Sequence, residues 1–121
     1  MNAVGCHEAG IESEMSDERS WVALIPVDRL APGEMAGVEV ANGRLAVYNI
    51  DGAFHVTDNV CTHAFAILSD GWLEDGIIEC PLHGGRFDVV TGEAVTEPAR
   101  CPLKTYPARV RSGLVEAELP T

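Results

Sequence analysis

Residues 61–85 read CTHAFAILSDGWLEDGIIECPLHGG, and the two ends of this stretch decide the fold. One end is a Cys-Thr-His motif at positions 61–63, and the other, after a gap of sixteen residues, is a Cys-Pro-Leu-His motif at positions 80–83. Each motif offers one thiolate and one imidazole, so two loops folded against each other present two sulfur and two nitrogen ligands. We identify no catalytic residue, and the candidate metal and cofactor ligands are Cys61, His63, Cys80 and His83.

Two kinds of metal site use this set of ligands. A tetrahedral zinc ion accepts two Cys and two His, whereas a Rieske-type cluster puts two Cys on one iron and two His on the other. Zinc fingers usually keep the cysteines in one close pair and the histidines in another. Here each loop mixes the two types, which favours the two-iron cluster. A structural zinc module used for protein binding is the alternative.

The remainder of the chain consists of short apolar runs separated by turn signals. The pairs Asn42-Gly43, Asp51-Gly52 and Ser112-Gly113 are of the type that accepts the positive φ angles of tight hairpins. No convincing amphipathic helix is visible, so the pattern predicts an all-β protein, an antiparallel sandwich or barrel. The predicted strands are Trp21–Val27, Met35–Val40, Leu45–Ile50, Phe54–Thr57, Ile77–Cys80, Arg86–Val90, Leu103–Val110 and Leu114–Leu119.

Length and charge limit the possible functions. The chain has 121 residues, which is about the length of one domain. Its net charge is −11, from 19 acidic and 8 basic residues, and this argues against binding to nucleic acid or to an anionic membrane. No apolar run approaches the roughly 20 residues of a membrane span, and the first twenty residues are acidic. We therefore expect a soluble, cytoplasmic protein.

At the four candidate ligands the sequence resembles the Rieske family, whose pattern is Cys-x-His, a similar gap and then Cys-x-x-His. The resemblance extends from about Trp21 to Leu119 and includes the segments 69–71 (Ser-Asp-Gly) and 85–88 (Gly-Arg-Phe-Asp). The chain is most similar to the stand-alone Rieske ferredoxins of bacterial aromatic ring-hydroxylating dioxygenase systems. The resemblance implies one Rieske-type 2Fe-2S cluster.

The composition along the chain also indicates a division. The first twenty residues have several acids and few large apolar side chains, and glycines and prolines interrupt the strand pattern from about residue 59 to residue 100. We expect residues 1–20 to be a disordered acidic extension and residues 21–121 to be the Rieske domain. Within that domain, residues 21–58 and 100–121 form an antiparallel base, and residues 59–99 form an inserted cluster-binding subdomain.

The function implied is electron transfer. A Rieske ferredoxin of this type carries single electrons from an NAD(P)H-dependent flavoprotein reductase to the terminal oxygenase, and it has no turnover and no small-molecule substrate of its own. A Rieske subunit of another redox system, such as a nitrite reductase, is the alternative.

The sequence differs from the respiratory Rieske proteins in ways that bear on the redox potential. Those proteins carry an additional disulfide at positions that correspond here to Ala66 and Leu82. They also place a serine and a tyrosine near the cluster, where this chain has Gly85 and Phe87. In the respiratory proteins the hydroxyls of these two residues donate hydrogen bonds to sulfur and raise the potential. Gly85 and Phe87 have no hydroxyl, so the reduced cluster is less stabilised here. We therefore expect a redox potential in the lower part of the Rieske range of about −150 to +300 mV.

The other Cys and His residues fit less well as ligands. Cys6 and His7 lie next to each other in the acidic extension without a second pair to match. Cys101 is expected to be a free, buried thiol. His55 is expected to face solvent or a neighbouring strand, and Pro81, Leu82, Phe65 and the two glycines that follow His83 are expected to form an apolar rim around the cluster.

Overall fold

The computed structural model describes residues 18–41, 43–62, 66–82, 84–97, 99 and 101–120. In this part of the chain no helix is long and apolar enough to cross a membrane, and the helices are two short 3₁₀ turns at Val27–Arg29 and Leu68–Asp70. The strands are β1 (Arg19–Pro26), β2 (Met35–Val40), β3 (Gly43–Ile50), β4 (Ala53–Asp58), β5 (Trp72–Glu74), β6 (Ile77–Glu79), β7 (Arg86–Asp88), β8 (Ala94–Thr96), β9 (Thr105–Tyr106), β10 (Ala108–Arg111) and β11 (Leu114–Pro120).

The strands form three antiparallel sheets. The first sheet has the order β1-β11-β10, the second β2-β3-β4-β9, and the third β5-β6-β7-β8. This arrangement confirms the predicted all-β, antiparallel fold. The third sheet lies between residues 72 and 96, within the predicted cluster-binding subdomain, and the strands of the other two sheets lie before and after it in the chain.

Two of the three predicted hairpin turns have the expected backbone. The Asp51-Gly52 and Ser112-Gly113 pairs have positive φ at both residues, as the tight turns between antiparallel strands require. In the third hairpin Val40 pairs with Gly43, so the loop consists of residues 41 and 42 and not of the predicted Asn42-Gly43 pair. Asn42 itself lies outside the described residues.

Several strand boundaries differ from the prediction. β1 begins at Arg19, and the predicted strand 103–110 is divided into β9 and β10 at Pro107. A proline has no N–H to donate to a ladder, and the Pro107 carbonyl instead accepts a hydrogen bond from the Glu118 N–H at 2.9 Å. β5 and β8, of three residues each, were not predicted.

β3 is buried on both faces, because it lies between two hydrophobic cores. Leu45 and Val47 belong to the base core, and Ala46 and Tyr48 belong to the site core. The alternation in this strand therefore assigns successive residues to two different cores. The base core also contains Leu30, Val56, Tyr106, Val115, Ala117 and Leu119. The site core also contains Cys61, Ala66, Leu68, Ile78, Cys80, Phe87, Val89, Ala99 and Leu103.

Candidate metal centre

The first predicted ligand motif lies in loop 1, residues 60–67. An isolated antiparallel bridge joins Val60 to Ile67. Directly inside this bridge, the N–H of Cys61 donates a hydrogen bond to the carbonyl of Ala66 at 2.9 Å. Cys61 is therefore the first residue of the loop proper, and its backbone is fixed by the closure of the loop.

Loop 2, residues 79–86, is closed in the same way. Glu79 and Arg86 are paired across β6 and β7, and the N–H of Cys80 donates to the carbonyl of Gly85 at 2.8 Å. In both loops the cysteine follows the paired residue directly and bonds to the residue five positions later, 61 to 66 and 80 to 85. The two ligand motifs thus start from equivalent backbone positions.

The structure brings the two predicted sulfur ligands into one core. Cys61 is 3% exposed and Cys80 is 0% exposed, both pack in the site core, and neither takes part in a disulfide. Burial of an ionised thiol is costly unless a partner compensates for the charge, and a metal provides that compensation. Two buried thiols that share a core without bonding to each other are a suitable donor set for the inner iron of a Rieske cluster.

The two predicted nitrogen ligands, His63 and His83, lie outside the described residues. Among the residues that are described, no group of three or more Cys, His, Asp or Glu side chains is arranged to hold a metal ion. The backbone of loop 2 supplies one interaction with sulfur, since the N–H of Leu82 donates to the Cys80 Sγ at 3.4 Å. Such a hydrogen bond stabilises negative charge on the sulfur.

Asn59 fixes the base of loop 1, a role that was not predicted. It is buried, and its amide group bonds twice to Ser69: the Ser69 N–H donates to Oδ1 at 2.8 Å, and Nδ2 donates to the Ser69 Oγ at 2.9 Å. Its carbonyl accepts from the Leu68 N–H at 2.8 Å. The position of Asn59, two residues before Cys61, is the only sequence signal for this role.

A glycine in β2 allows the backbone of that strand to lie close to the Asn59 and Ser69 side chains. A Cβ at Gly37 of β2 would lie 2.8 Å from both the Asn59 Nδ2 and the Ser69 Oγ. Likewise, a Cβ at Gly71 would lie 2.0 Å from the carbonyl oxygen of Glu79, the residue that precedes Cys80. Backbone and side chains around both loops are therefore packed too closely to admit a larger residue.

Loop 1 is also tied to the segment that follows the third sheet. Thr62 Oγ1 donates a hydrogen bond to the carbonyl of Cys101 at 2.9 Å. Cys101 is buried and disulfide-bonded, so the expectation of a free thiol is wrong; the other half of that bond lies outside the described residues.

The remaining Cys and His residues were not expected to be ligands. Cys6 and His7 lie outside the described residues, and His55 pairs with Tyr48 across β4 and β3 as expected.

Only part of the predicted apolar rim is at the surface. Pro81 and Leu82 are exposed, Leu82 to 43%. Gly84 is half-buried and Gly85 is buried, so Gly85 does not belong to the rim; its carbonyl is occupied by the closure of loop 2. Phe65 lies outside the described residues.

Buried tyrosines satisfy their hydroxyl groups within the protein. The Tyr48 hydroxyl bonds to the Thr57 Oγ1 at 2.9 Å, and the Tyr106 hydroxyl donates to the Asp58 carboxylate. Burial raises the pKa of Tyr48 well above its ordinary value, so its hydroxyl stays protonated at neutral pH. These bonds hold the end of β4 against β3 and β9, directly before loop 1.

Comparison with known proteins identifies the family. Residues 20–107 match the Rieske [2Fe-2S] domain. The chain is 42% identical over 99 residues to the ferredoxin component of the naphthalene 1,2-dioxygenase system of Pseudomonas putida, covering 82% of this chain and 95% of that protein.

Solved structures agree with this match. The Sphingomonas yanoikuyae B1 ferredoxin is 44% identical with a TM-score of 0.80, over 84% of this chain and all of that one. A chain in the complex of reduced oxygenase and oxidised ferredoxin in carbazole 1,9a-dioxygenase is 37% identical with a TM-score of 0.76, over 80% of this chain and 91% of that one. Ferredoxin components carry electrons, which supports the prediction of an electron-transfer component that is not itself an enzyme. The chain thus belongs to the Rieske [2Fe-2S] domain family, and its cofactor is one 2Fe-2S cluster of the Rieske type.

Proposed function

We propose that Cys61, His63, Cys80 and His83 hold the cluster, with the two sulfurs on one iron and the two imidazoles on the other. The observation that carries this proposal is the equivalent closure of loops 1 and 2, with both cysteines buried in the site core. In each loop the histidine follows the cysteine by two or three residues.

We further propose that the chain carries single electrons from an NAD(P)H-dependent flavoprotein reductase to the terminal oxygenase of an aromatic ring-hydroxylating dioxygenase system. Two relatives support this proposal: one is named as the ferredoxin component of a naphthalene dioxygenase system, and another was solved in complex with an oxygenase. The cytoplasmic location expected above stays a prediction.

When bound, the cluster supplies one-electron redox chemistry. The protein excludes water from its sulfur side by burying Cys61 and Cys80 in the site core. The Leu82 N–H stabilises charge on the Cys80 sulfur, and exposed Pro81 and Leu82 allow a partner protein to approach the same loop. Asn59 and the hydrogen bonds that close loops 1 and 2 hold the two loops in place. The loops therefore move little when the cluster gains or loses an electron, which keeps the reorganisation energy small.

We also propose that residues 59–99 form the cluster-binding subdomain on a base built from residues 21–58 and 100–121. The separation of the site core from the base core supports this division. β3 belongs to the base in sequence but contributes to both cores, so the two parts pack as one unit.

Substitution of a proposed nitrogen ligand tests the cluster assignment. We expect His83→Cys to change the visible spectrum and to shift the average g value of the dithionite-reduced protein toward that of an all-cysteine cluster. His55→Asn is the matched control, because His55 is a half-buried residue of β4, and it should leave both spectra unchanged. One zinc per chain, or an unchanged His83→Cys spectrum, would overturn the assignment.

A transfer assay tests the physiological role. The reduced protein should pass one electron per chain to the terminal oxygenase of an aromatic dioxygenase system and become reoxidised. Reoxidation by a nitrite reductase with no reaction toward the oxygenase would favour the alternative function.

A further inference from the structure

The third sheet has one face in the site core and one face outside it. Leu73, Ile78 and Phe87 point inward and pack with the ligand cysteines. Because side chains alternate along a strand, the pairing register places the neighbouring residues on the opposite face. We call this the Trp72 face, and it consists of Trp72, Glu74, Ile77, Glu79, Arg86 and Asp88.

Trp72 is the most exposed large apolar side chain among the described residues, with 61% of its surface accessible. It is paired with Glu79, and neighbouring strands are about 4.8 Å apart. Since Cys80 follows Glu79, the tryptophan lies one strand away from loop 2. Leu82 of that loop is 43% exposed, so two apolar side chains lie at the surface beside the proposed cluster.

The charge around these apolar groups is predominantly acidic. The face contains Glu74, Glu79 and Asp88, and exposed Asp70 and Asp75 lie at the two ends of β5. Its only basic side chain, Arg86, is paired with Glu79 at 3.1 Å between Nε and Oε1. The surface therefore fits a partner that has basic side chains around an apolar pocket.

The same charge argues against a second copy of this chain as the occupant. Two acidic faces would repel each other, and the chain as a whole has a net charge of −11. A tryptophan within a ring of charged residues is typical of the residues that dominate binding energy in an interface between different proteins.

The geometry points to the Trp72 face as the surface that docks the terminal oxygenase, with Trp72 as its apolar anchor. This inference rests on the proposed function. A partner seated here is brought against loop 2, because Trp72 is paired with Glu79 at the start of that loop.

Binding of the holoprotein tests the inference, with the terminal oxygenase of the naphthalene 1,2-dioxygenase system as the probe. Trp72→Ala should weaken the Kd at least about tenfold, and Trp72→Phe should restore most of the affinity. Val110→Ala is the matched control, because Val110 is 51% exposed but lies on β10 of the first sheet. The visible spectrum and the midpoint potential should be the same in all variants.

Charge reversal provides a second, independent measurement. Glu74→Lys should weaken binding at low salt, and the difference from the wild type should decrease as added salt screens the charges. Asp28→Lys changes the net charge equally at an exposed site in the first 3₁₀ turn, and it should have a smaller effect.

Two results would overturn the inference. If Trp72→Ala and Glu74→Lys bind within twofold of the controls while the wild type still binds and reduces the oxygenase, docking occurs elsewhere and the proposed function stands. If the wild type neither binds nor reduces the oxygenase, the proposed function fails and the inference fails with it.

Discussion

Phe87 packs in the site core with Cys61 and Cys80, at the position where respiratory Rieske proteins place a tyrosine. We expect Phe87→Tyr to raise the midpoint potential by tens of millivolts, within the Rieske span of about −150 to +300 mV, because a hydroxyl near the sulfurs stabilises the reduced state. Protein-film voltammetry measures the shift.

Tyr48→Phe is the control for this substitution. It removes a hydroxyl from the same core, but that hydroxyl bonds to Thr57, so the potential should stay near the wild-type value. A folded Phe87→Tyr protein with an unchanged potential would contradict the assignment of Phe87 to the surroundings of the cluster.

Gly92 lies so close to the backbone of Leu103 that a side chain at this position should destabilise the fold. Its φ is +83°, and a Cβ there would lie 2.1 Å from the carbonyl oxygen of Leu103. Gly92→Ala should lower the free energy of unfolding by roughly 2–4 kcal/mol, the sum of backbone strain and steric conflict. A shift of the urea midpoint measures this loss.

Gly113→Ala separates the two contributions. Its φ is +78°, but a Cβ there has nothing within 4 Å. The decrease in the free energy of unfolding should therefore be limited to about 1–2 kcal/mol, the cost of placing a residue with a Cβ at positive φ. Equal losses in the two variants would show that Leu103 moves aside without cost.

At the level of secondary-structure elements, loop 1 depends on the hydrogen bonds of Asn59. Asn59→Ala leaves the Ser69 backbone and hydroxyl groups without their partner, which costs about 1–3 kcal/mol in a buried setting. Because these bonds hold the base of loop 1, we expect faster loss of the visible absorbance in the presence of a chelator.

Asn49→Ala is the matched control for the loop. Asn49 is also buried, but it bonds to Leu30 and Gly52 in the base of the molecule. It should lower stability by a similar amount without a comparable acceleration of cluster loss. Equal rates for the two variants would mean that overall stability, and not loop 1, controls retention of the cluster.

The sequence predicts these elements where the signal is local. β2 and the Asp51-Gly52 turn follow from side-chain alternation and from residues that accept positive φ, and the structure has both. β5 and β8 were missed, although each pairs with the strand next to it in the chain. Asp75 and Gly76, which connect β5 to β6, have positive φ, as do the residues of the hairpin turns that were predicted. The break at Pro107 is visible in the sequence, but only the structure shows where the strand resumes.

The candidate site divides in the same way. The ligand motifs are short and their chemistry is carried by the residue types, so Cys61 and Cys80 could be proposed as ligands without knowledge of the fold. Asn59, Gly71 and Gly92 act through partners that are 8 to 11 residues away in sequence. No local pattern marks such a contact, which is why these three roles were missed.

At the scale of the whole molecule, the two cores predict an uneven response to loss of the cluster. Metal binding contributes to the folding of the segments that hold it. Removal of iron should therefore increase hydrogen exchange in loops 1 and 2 and in the third sheet, while β1 and β11 of the base keep most of their protection. Exchange measured by mass spectrometry on holoprotein and apoprotein shows the difference. A uniform increase across both cores would contradict the proposed division.

β3 contributes side chains to both the site core and the base core, and this restricts where residues can be inserted or deleted in the chain. Inserting or deleting one residue in the strand would turn every side chain over and would present Leu45 and Val47 to the metal-binding side and Tyr48 to the opposite side. The site core has no space shaped for Leu45 and Val47, and the base core has none shaped for Tyr48. Gaps in alignments of natural homologues should therefore avoid residues 44–49 and collect in the hairpin tips on either side.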